Sequence, residues 1–451
     1  MGYKVVIINP KTRSVLDTNE PLNILTIVTY LRKAGIDARI IDELAGEDVA
    51  GEIQDFHPDL VGFTATTCTY PKAVELLKII KPLGYRTVIG GVHASTLPEE
   101  ALADGFDMVV VGEGERMLLE IITRGEKKGI FRASKEMILK SEEIPSPDRT
   151  LIQMDFYCRT KERSPYDSNL DFVPFGAPMA CMMTSRGCPF NCIFCHNTWR
   201  GTPLRFQDAE LIIEEVELLI HNYNVHHIWF LDDDFFQKKS RAMQFCELLL
   251  KKNIQLFWAT SARPDSVDEE QLEIASRAGC RRISFGFETG SQRILSVLNK
   301  RANVERNLVA AHLCNKYKIE VCGLFMIGNP TETKEDIRLT WEFIRRAKLD
   351  SIALNVTTPF PGTALWKMCQ ERGYIPQDID YSSFYFTQAP IQIPDTFTPR
   401  EVESIKRRLI VKSYLFHHKI RRRFMLKALR HPWLMFEKVL DYTPFFRRGA
   451  L

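Results

Sequence analysis

Three cysteines lie close together in one short segment and are the residues best suited to chemistry. The segment runs from Thr184 to Cys195, and Cys188, Cys192 and Cys195 are separated by three and then two residues. Three thiolates on one loop can bind three irons of a cubane iron–sulfur cluster and leave the fourth iron open for a substrate ligand. Two other interpretations stay open at this point: a zinc site completed by His196, and loop cysteines without a ligand.

The cysteine segment resembles the signature of the radical S-adenosylmethionine (SAM) enzymes, which combines this spacing with an aromatic residue, here Phe194, before the last cysteine. The resemblance implies that Cys188, Cys192 and Cys195 bind a 4Fe-4S cluster. It also implies that the open iron chelates the amino and carboxylate groups of SAM. An electron from the reduced cluster would then cleave SAM to a 5'-deoxyadenosyl radical.

The same resemblance assigns SAM contacts to positions further along the chain. Asp232-Asp233-Asp234 ends a predicted strand and resembles the family position near the SAM amino group. Arg263 would pair with the SAM carboxylate, and Glu288 would bind the ribose hydroxyls or the amino group. The segment from Gly323 to Gly328 resembles the strand that passes the adenine. The alternatives are structural: a helix cap, ion pairs and a tightly packed strand.

Three motifs in the amino-terminal part resemble the cobalamin-binding domain of the cobalamin-dependent radical SAM group. They are Pro58 to Thr64, Gly90 to Ser95 and Val111 to Glu115. Glycines at strand ends let the backbone approach a large, flat ligand closely. Four residues of these motifs are the predicted cobalamin contacts: Gly90, Gly91, His93 and Glu113.

One motif of many cobalamin domains is incomplete here. In those domains the histidine of Asp-x-His-x-x-Gly ligates the cobalt, whereas the segment from Asp42 to Gly46 contains no histidine. The cobalamin-dependent radical SAM group commonly lacks this ligand too, which implies cobalamin bound with its own base displaced. We expect His93 to be a loop residue that bonds to the backbone or the corrin periphery, not an axial ligand. A domain that keeps the fold without the cofactor is the alternative.

An alternation of strands and helices positions the amino-terminal motifs. Apolar runs predict five strands, near residues 5–8, 38–41, 60–64, 87–90 and 108–111. Amphipathic patterns predict helices near 22–34, 48–56, 71–82 and 98–103. Continuous Val and Ile runs joined by helices predict a doubly wound parallel sheet over residues 1–123, with its ligand beyond the carboxyl ends of the strands.

A second alternation positions the cysteine segment. Residues 124–178 are polar and contain several prolines, so we expect a linker there. Six further strands are predicted near 180–185, 227–231, 256–260, 282–286, 321–326 and 351–356. They favour a partial parallel (βα)6 barrel over 179–375, followed by a basic, mainly helical region over 376–451. The predicted fold class is therefore α/β with a helical carboxyl-terminal region.

The composition excludes several classes of protein. With 451 residues, 45% of them apolar and 26% charged, the chain is globular and not fibrous or disordered. No apolar run is long enough to cross a bilayer, and the first residues lead directly into a strand, so we expect a cytoplasmic location. In that reducing compartment, metal binding or catalysis explains the three clustered cysteines better than disulfides do.

The charge of the chain is unevenly distributed. The net charge is +3, but residues 401–451 carry 13 Lys and Arg against 4 Asp and Glu. The stretch from Arg421 to Phe436 interleaves cations with large apolar groups, which suits contact with an anionic membrane through Trp433 and Phe436. A domain-packing helix with solvated charges is the alternative. Because no nucleic-acid-binding module accompanies the stretch, we expect no nucleic-acid partner.

The two resemblances together imply a cobalamin-dependent radical SAM methyltransferase that acts at an unactivated carbon. Catalytic residues beyond the cofactor ligands stay unassigned. The alternatives are radical cyclisation, coupling or rearrangement and, from another class, a non-catalytic cofactor sensor. An RNA methylthiotransferase is disfavoured, because the amino-terminal domain offers only Cys68 for a second cluster. The expected partners are a small-molecule substrate, for which the basic tail suggests a lipidic compound, and a reducing electron donor.

Overall fold

The computed structural model describes residues 2–11, 19–163, 170–196, 202–388, 390–393 and 395–430. The chain divides into two compact units, each assembled from separate stretches. The first unit comprises Met1–Thr160, Pro178–Val225 and Pro359–Tyr385. The second comprises Lys161–Ala177, His226–Thr358 and Phe386–Leu451. Trp433 and Phe436, predicted to contact a membrane, lie outside the described residues.

The described part of the first unit is built on a parallel sheet of six strands. They are β1 (Lys4–Asn9), β2 (Asp37–Asp42), β3 (Leu60–Thr64), β4 (Thr87–Gly90), β5 (Met108–Val111) and β6 (Gly129–Arg132). Their order across the sheet is β2-β1-β3-β4-β5-β6. The apolar runs of the sequence are covered on both faces, and Val5, Ile8 and Leu60 are fully buried. The chain changes direction across the sheet between β1 and β3, where ligands bind in open parallel sheets.

Helices connect these strands. They are α1 (Leu22–Lys33), α2 (Val49–Phe56), α3 (Tyr70–Ile80), α4 (Val92–Thr96), α5 (Pro98–Ala103) and α6 (Gly114–Arg124). In α1, the apolar residues Ile24, Val28 and Leu31 recur with the helical period, and all three are fully buried. Asp48 begins α2 by accepting a hydrogen bond from the backbone N–H of Ala50. Gly125, in the left-handed conformation, ends α6.

The structure differs from the prediction at the end of this domain. Strand β6 lies inside residues 124–178, the predicted linker, and pairs in parallel with β5. The same stretch also contains α7 (Met154–Cys158) and α8 (Thr160–Arg163). The residues of β6 are partly exposed, so the strand lacks the continuous apolar run that marks the other five. The first sheet therefore extends past the predicted boundary at residue 123.

Most of the rest of the first unit comes from the stretch predicted to form the barrel. It contains β7 (Met179–Met182), β8 (Ser185–Arg186), β9 (Arg205–Phe206), α9 (Ala209–Tyr223) and, much later in the chain, α15 (Ala364–Glu371). Strands β8 and β9 pair antiparallel, and they lie before and after the three cysteines in the chain. The predicted barrel region, 179–375, is thus divided between the two units.

The second unit contains five parallel strands within its described residues. They are β10 (His227–Phe230), β11 (Phe257–Ala262), β12 (Cys280–Glu288), β13 (Glu320–Ile327) and β14 (Ser351–Val356), and they follow one another in chain order across the sheet. The helices between them are α10 (Lys239–Lys251), α11 (Glu269–Arg277), α12 (Gln292–Val297), α13 (Val304–Lys316) and α14 (Lys334–Arg346). Trp258 packs edge-on against Phe230 and Phe245 in a buried aromatic core.

Two helices follow in the second unit. They are α16 (Pro399–Phe416) and α17 (His418–Arg430). Thr398 and Glu401 form a reciprocal capping box that begins α16. Val402, Leu409 and Ile420 are buried, so both helices pack against this unit. The helical character predicted for the carboxyl-terminal region holds in its described part.

Candidate cofactor site

The first unit contains a cavity of about 540 Å³ at the carboxyl ends of its strands. Ile7 of β1 and Phe63 of β3 line it at the switch point, and Val111 of β5 lines it further along the sheet. Residues from the predicted linker, among them Pro145, and from the β8–β9 region complete the wall. The cavity lies at the edge of the sheet where the sequence places the ligand. Of the predicted cobalamin contacts, Gly90, Gly91 and Glu113 line it.

Gly91 allows two loops of the cavity wall to approach each other closely. Its φ angle is +94°, a conformation that residues with a side chain rarely adopt. A Cβ atom at this position would lie 2.7 Å from the carbonyl oxygen of Ala65 and 3.0 Å from Oγ1 of Thr64. The wall between β3 and β4 therefore requires glycine here, because the loops after the two strands pack directly against each other.

Glu113 belongs to a buried network of charges beside the cavity. Nη1 of Arg205 donates to Oε2 of Glu113 at 2.8 Å and to the carbonyl of Leu139 at 2.8 Å. Nη2 of Arg186 lies 2.8 Å from Oε1 of Glu115. Both arginines come from the β8–β9 hairpin, whose strands lie before and after the three cysteines. The network joins this hairpin to the start of α6, a contact that the sequence analysis missed although Arg186 lies within the cysteine segment itself.

His93 is placed differently from the prediction. It lies on helix α4, not in a loop, and it is fully buried outside the residues that line the cavity. Its ring stacks on Tyr70 with the ring centroids 3.9 Å apart, and Tyr381 packs edge-on at 4.7 Å. Burial lowers the pKa of His93 to about 4. Neither ring nitrogen has a hydrogen-bond partner within the described residues, so the expected bond to the backbone is not formed.

The three cysteines follow β8 on residues 187–196, the cysteine loop. Cys192 is buried, Cys188 is half-buried and Cys195 is exposed, and none of the three is in a disulfide. The backbone N–H of Cys195 donates to the carbonyl of Cys192 at 3.2 Å, which closes a tight turn between them. Within the described residues, no three His, Cys, Asp or Glu side chains are already gathered around a metal position. The donor set nevertheless fits an iron–sulfur cluster, because three thiols on one loop are the ligands that such clusters use.

The predicted SAM contacts lie in the second unit, at the carboxyl ends of consecutive strands. After β10, Asp232 is buried with Nη1 of Arg241 3.9 Å from its Oδ1, and Asp233 is exposed. Asp234 is buried and accepts a hydrogen bond of 2.7 Å from Ser266. Burial raises the pKa of Asp234 to about 6. Three neighbouring carboxyl groups give this strand end the negative charge that an ammonium group would require.

Arg263 and Glu288 are joined through Lys300, which sequence reasoning missed. Arg263 follows β11, donates to both carboxylate oxygens of Asp265 at 3.0 and 3.2 Å, and donates to the carbonyl of Lys300 at 2.9 Å. Glu288 ends β12 with a φ angle of +62° and accepts from Nζ of Lys300 at 2.7 Å. Arg263 and Glu288 therefore form the ion pairs that the sequence left open as an alternative to contacts with SAM. They also hold both side chains at the strand ends.

A second missed residue follows β13. Glu332 is buried and accepts hydrogen bonds from the N–H of Gly328 at 2.7 Å and from the side chain of Asn329 at 2.8 Å. Asn329 accepts in turn from Thr357 at 2.9 Å. Burial raises the pKa of Glu332 to about 7. The sequence Gly-Asn-Pro-Thr-Glu could have pointed to Glu332, since it places an acidic residue in the turn directly after a buried strand.

These features define a class of protein. A parallel sheet with a cavity at its switch point precedes a second series of parallel strands, and a loop with three cysteine ligands accompanies them. A cobalamin-binding domain and a radical SAM domain have this combination of fold and donor groups.

Comparisons with known proteins agree with this class. The family model for the Radical SAM superfamily matches residues 182–344, and that for the B12 binding domain matches residues 11–122. An uncharacterized methyltransferase of Pyrococcus horikoshii is 30% identical over 442 residues, covering 91% of this chain and 92% of that protein. The anaerobic magnesium-protoporphyrin IX monomethyl ester cyclase of Cereibacter sphaeroides is 27% identical, over 95% of this chain and 74% of the cyclase.

Among solved structures, the cobalamin-dependent SAM radical enzyme OxsB, with aqua-cobalamin and SAM bound, has the same fold. It superposes with a TM-score of 0.73 at 16% identity, covering 98% of this chain and 72% of OxsB. The chain belongs to the family of cobalamin-binding radical SAM enzymes. Its cofactors are a 4Fe-4S cluster, SAM and cobalamin, and the α/β fold class predicted from the sequence is confirmed.

Proposed function

We propose that this enzyme transfers a SAM-derived methyl group through cobalamin to an unactivated carbon of a small-molecule substrate. The observation that carries the proposal is that the three-cysteine loop and the cavity at the sheet edge belong to one compact unit. A methyltransferase relative that matches nearly the whole chain supports it. When bound, the cluster supplies reductive cleavage of SAM, and cobalamin carries the methyl group.

The protein groups would hold these cofactors by charge and by thiolate ligation. Cys188, Cys192 and Cys195 would bind the cluster. The cavity, with Gly90, Gly91 and Glu113 in its wall, would hold cobalamin. For SAM, the guanidinium of Arg263 suits the carboxylate, whereas Asp232, Asp233 and Glu288 suit the ammonium group and the ribose hydroxyls.

The cofactor assignment is tested by metal analysis. We expect protein reconstituted anaerobically with iron, sulfide and hydroxocobalamin to contain four irons and one cobalamin. The triple variant Cys188→Ala, Cys192→Ala, Cys195→Ala should lose the iron and keep cobalamin. Cys246→Ala is the matched control, because this thiol is buried in α10 and should not affect the iron content. Retention of iron by the triple variant would contradict the assignment.

The reaction type is tested without knowing the substrate. Because the cluster and the bound cobalamin must both be reduced, the assay includes dithionite as the electron donor. We expect reduced, cobalamin-loaded enzyme to convert about one SAM per bound cobalamin to S-adenosylhomocysteine. The cyclase relative makes cyclisation without methyl transfer the second candidate. Formation of 5'-deoxyadenosine with no S-adenosylhomocysteine would favour that candidate.

We propose further that helix α17 rests on an anionic membrane and that the substrate is lipidic. Within the described residues, no helix is both long enough and apolar enough to span a bilayer. Lys419 and Ile420 face the second unit, and Lys419 donates to Asp350 at 2.7 Å. The opposite face is exposed and combines cations with large apolar side chains: Arg421, Arg422, Met425, Leu426 and Leu429. An interfacial helix requires this combination on its outer face.

Vesicle sedimentation tests the membrane proposal. We expect the protein to sediment at low salt with vesicles of phosphatidylcholine and phosphatidylglycerol, and to be released by high salt. The double variant Leu426→Glu, Leu429→Glu should bind at least tenfold more weakly. Val309→Glu is the control, because Val309 is an exposed apolar residue on α13. Absence of wild-type binding, or equal losses in the two variants, would reject the docking surface.

A further inference from the structure

A hydrogen bond joins a wall of the cavity to the cysteine loop. Oγ1 of Thr96, at the end of α4, lies 2.5 Å from Nε2 of His196. His196 directly follows Cys195, the last of the three cysteines. The two residues are 100 positions apart in the chain, and both belong to the first unit. Two elements with separate predicted cofactors are therefore in direct contact.

The Thr96 hydroxyl has a second neighbour besides His196. The Thr96 hydroxyl has a single hydrogen, and it also lies 2.9 Å from the carbonyl oxygen of Val92, which can only accept. Both contacts are hydrogen bonds when the hydroxyl donates to Val92 and Nε2–H of His196 donates to Oγ1. In that arrangement the imidazole of His196 carries its proton on Nε2.

Helix α4 forms part of the cavity wall. Val92 and Ser95 line the cavity, and Thr96 is the next residue. The backbone N–H of Gly112, another lining residue, donates to Oγ of Ser95 at 3.1 Å. A ligand that fills the cavity would contact α4 on the turn that presents Thr96 to His196. This turn is therefore one of the contacts that hold His196.

A third segment packs against the same junction. The φ angle of Gly362 is +79°, and a Cβ atom there would lie 2.6 Å from Cγ2 of Thr96 and 3.2 Å from Nε2 of His196. Three residues later, the backbone N–H of Leu365 donates to the carbonyl of Ile193 at 2.9 Å. The cysteine loop is therefore attached at two points, Ile193 and His196, on either side of Cys195.

We propose that the Thr96–His196 hydrogen bond couples cobalamin binding in the cavity to cluster binding by the cysteine loop. Thr96 and His196 are positioning residues in this proposal. A ligand that orders α4 lowers the entropic cost of ordering the loop, and the reverse holds by thermodynamic reciprocity. One hydrogen bond of ordinary strength corresponds to a coupling of about three- to tenfold in affinity. The proposal rests on the cofactor set of the family and is independent of methyl transfer.

Equilibrium binding of hydroxocobalamin tests the coupling. Its dissociation constant is measured for cluster-free protein and for protein reconstituted with the cluster, under anaerobic conditions. We expect the wild-type reconstituted protein to bind hydroxocobalamin about three- to tenfold more tightly than the cluster-free protein. Reciprocally, hydroxocobalamin should raise the concentration of an added chelator that removes half of the iron at equilibrium. Neither measurement requires turnover, so the outcome is separate from that of the methyl-transfer assay.

Four variants locate the coupling in this hydrogen bond. Thr96→Val and His196→Ala should bring the ratio of dissociation constants close to one. Thr96→Ser keeps a hydroxyl and His196→Gln keeps an N–H donor of similar reach, so both should restore most of the ratio. Thr123→Val is the matched control, because this exposed threonine bonds only within α6. A wild-type ratio of one, or an unchanged ratio in both Thr96→Val and His196→Ala, would overturn the proposal.

Discussion

The ion pair between Glu113 and Arg205 shows how much a buried charge depends on its partner. Both side chains are more than nine-tenths buried, and Arg205 also donates to the carbonyl of Leu139 at 2.8 Å. We expect Glu113→Ala to lower the free energy of unfolding by about 3 kcal/mol, because it leaves the guanidinium buried without its counter-charge. Chemical denaturation of the two proteins measures the difference.

Glu99 supplies the control for this prediction. It pairs with Arg132 at 3.3 Å, and the Glu99 side chain is 74% exposed. Glu99→Ala should change the free energy of unfolding by less than about 1 kcal/mol, since solvent screens exposed pairs. Equal losses in Glu99→Ala and Glu113→Ala would show that burial does not set the contribution of these pairs.

Glu332 predicts a dependence of stability on pH. Burial raises its pKa from 4.5 to about 7 in the folded protein, so the folded state binds the proton more tightly than the unfolded state does. Its contribution to stability is therefore fully present below pH 4.5 and is lost as the pH rises through about 7. The expected loss is roughly 3 kcal/mol between these limits.

Glu332→Gln should remove this part of the pH dependence. Its free energy of unfolding should fall less steeply between pH 4.5 and 8 than that of the wild-type protein. Glu335→Gln is the control: its side chain is exposed, and hydrogen bonding to Arg338 lowers the pKa of Glu335 below this range. If Glu332→Gln kept the wild-type slope, the titration would have to be assigned to other buried carboxyl groups.

At the scale of single residues, the sequence predicted the cysteine ligands of the cluster but not the side-chain contacts between distant positions. The spacing of Cys188, Cys192 and Cys195 is local and was readable directly. The contacts of Glu113 with Arg205, and of Thr96 with His196, span 92 and 100 positions. No periodicity within one sequence reports such pairs, because they depend on how loops at different strand ends meet.

Among the strands, those that are buried on both faces were the ones that the sequence predicted correctly. Strands β3, β4 and β5 end where the apolar runs end, since each is covered on both faces. Strand β6 is partly exposed and is preceded by Lys127 and Lys128, so it carries no such run. Helix α4 has only five residues, too few for a helical period to be visible.

Helix α17 depends on ionic contacts for its attachment to the second unit. Asp350 accepts from Lys419 at 2.7 Å and from Arg423 at 3.2 Å. We expect Asp350→Asn to weaken both contacts and to increase local opening of α17. Limited digestion with trypsin should then cleave after Arg421 or Arg422 several-fold faster than in the wild-type protein.

A surface ion pair is the control for the α17 prediction. Glu305 and Arg346 are both largely exposed and lie 3.3 Å apart. Glu305→Gln should leave the rate of cleavage in α17 unchanged. An unaltered rate in Asp350→Asn would mean that the apolar contacts of Ile420 are sufficient to hold the helix.

For the whole molecule, the sequence predicted consecutive domains, whereas both units are assembled from separate stretches. The first unit takes residues 179–225 and 359–375 from the predicted barrel region, and residues 376–385 from the predicted carboxyl-terminal region. Strand and helix signals are local, so they place elements along the chain without showing which elements pack together. The cavity wall needs this assembly, because Pro145, Arg186 and Arg205 all line it.

This assembly predicts where cobalamin stabilises the protein. Hydroxocobalamin at about one hundred times its dissociation constant should stabilise the conformation that binds it by about 2.7 kcal/mol. Amides whose exchange requires opening of the cavity should then exchange up to about 100-fold more slowly. We expect the protection in peptides from α4 and from the β5–α6 region, and also in the β8–β9 hairpin far along the chain. Peptides from β11 to β13 in the second unit should be unaffected when SAM is omitted.

Hydrogen exchange followed by mass spectrometry resolves these regions. Protection confined to residues 1–123 would show that the amino-terminal domain binds the cofactor alone, contrary to the cavity wall seen here.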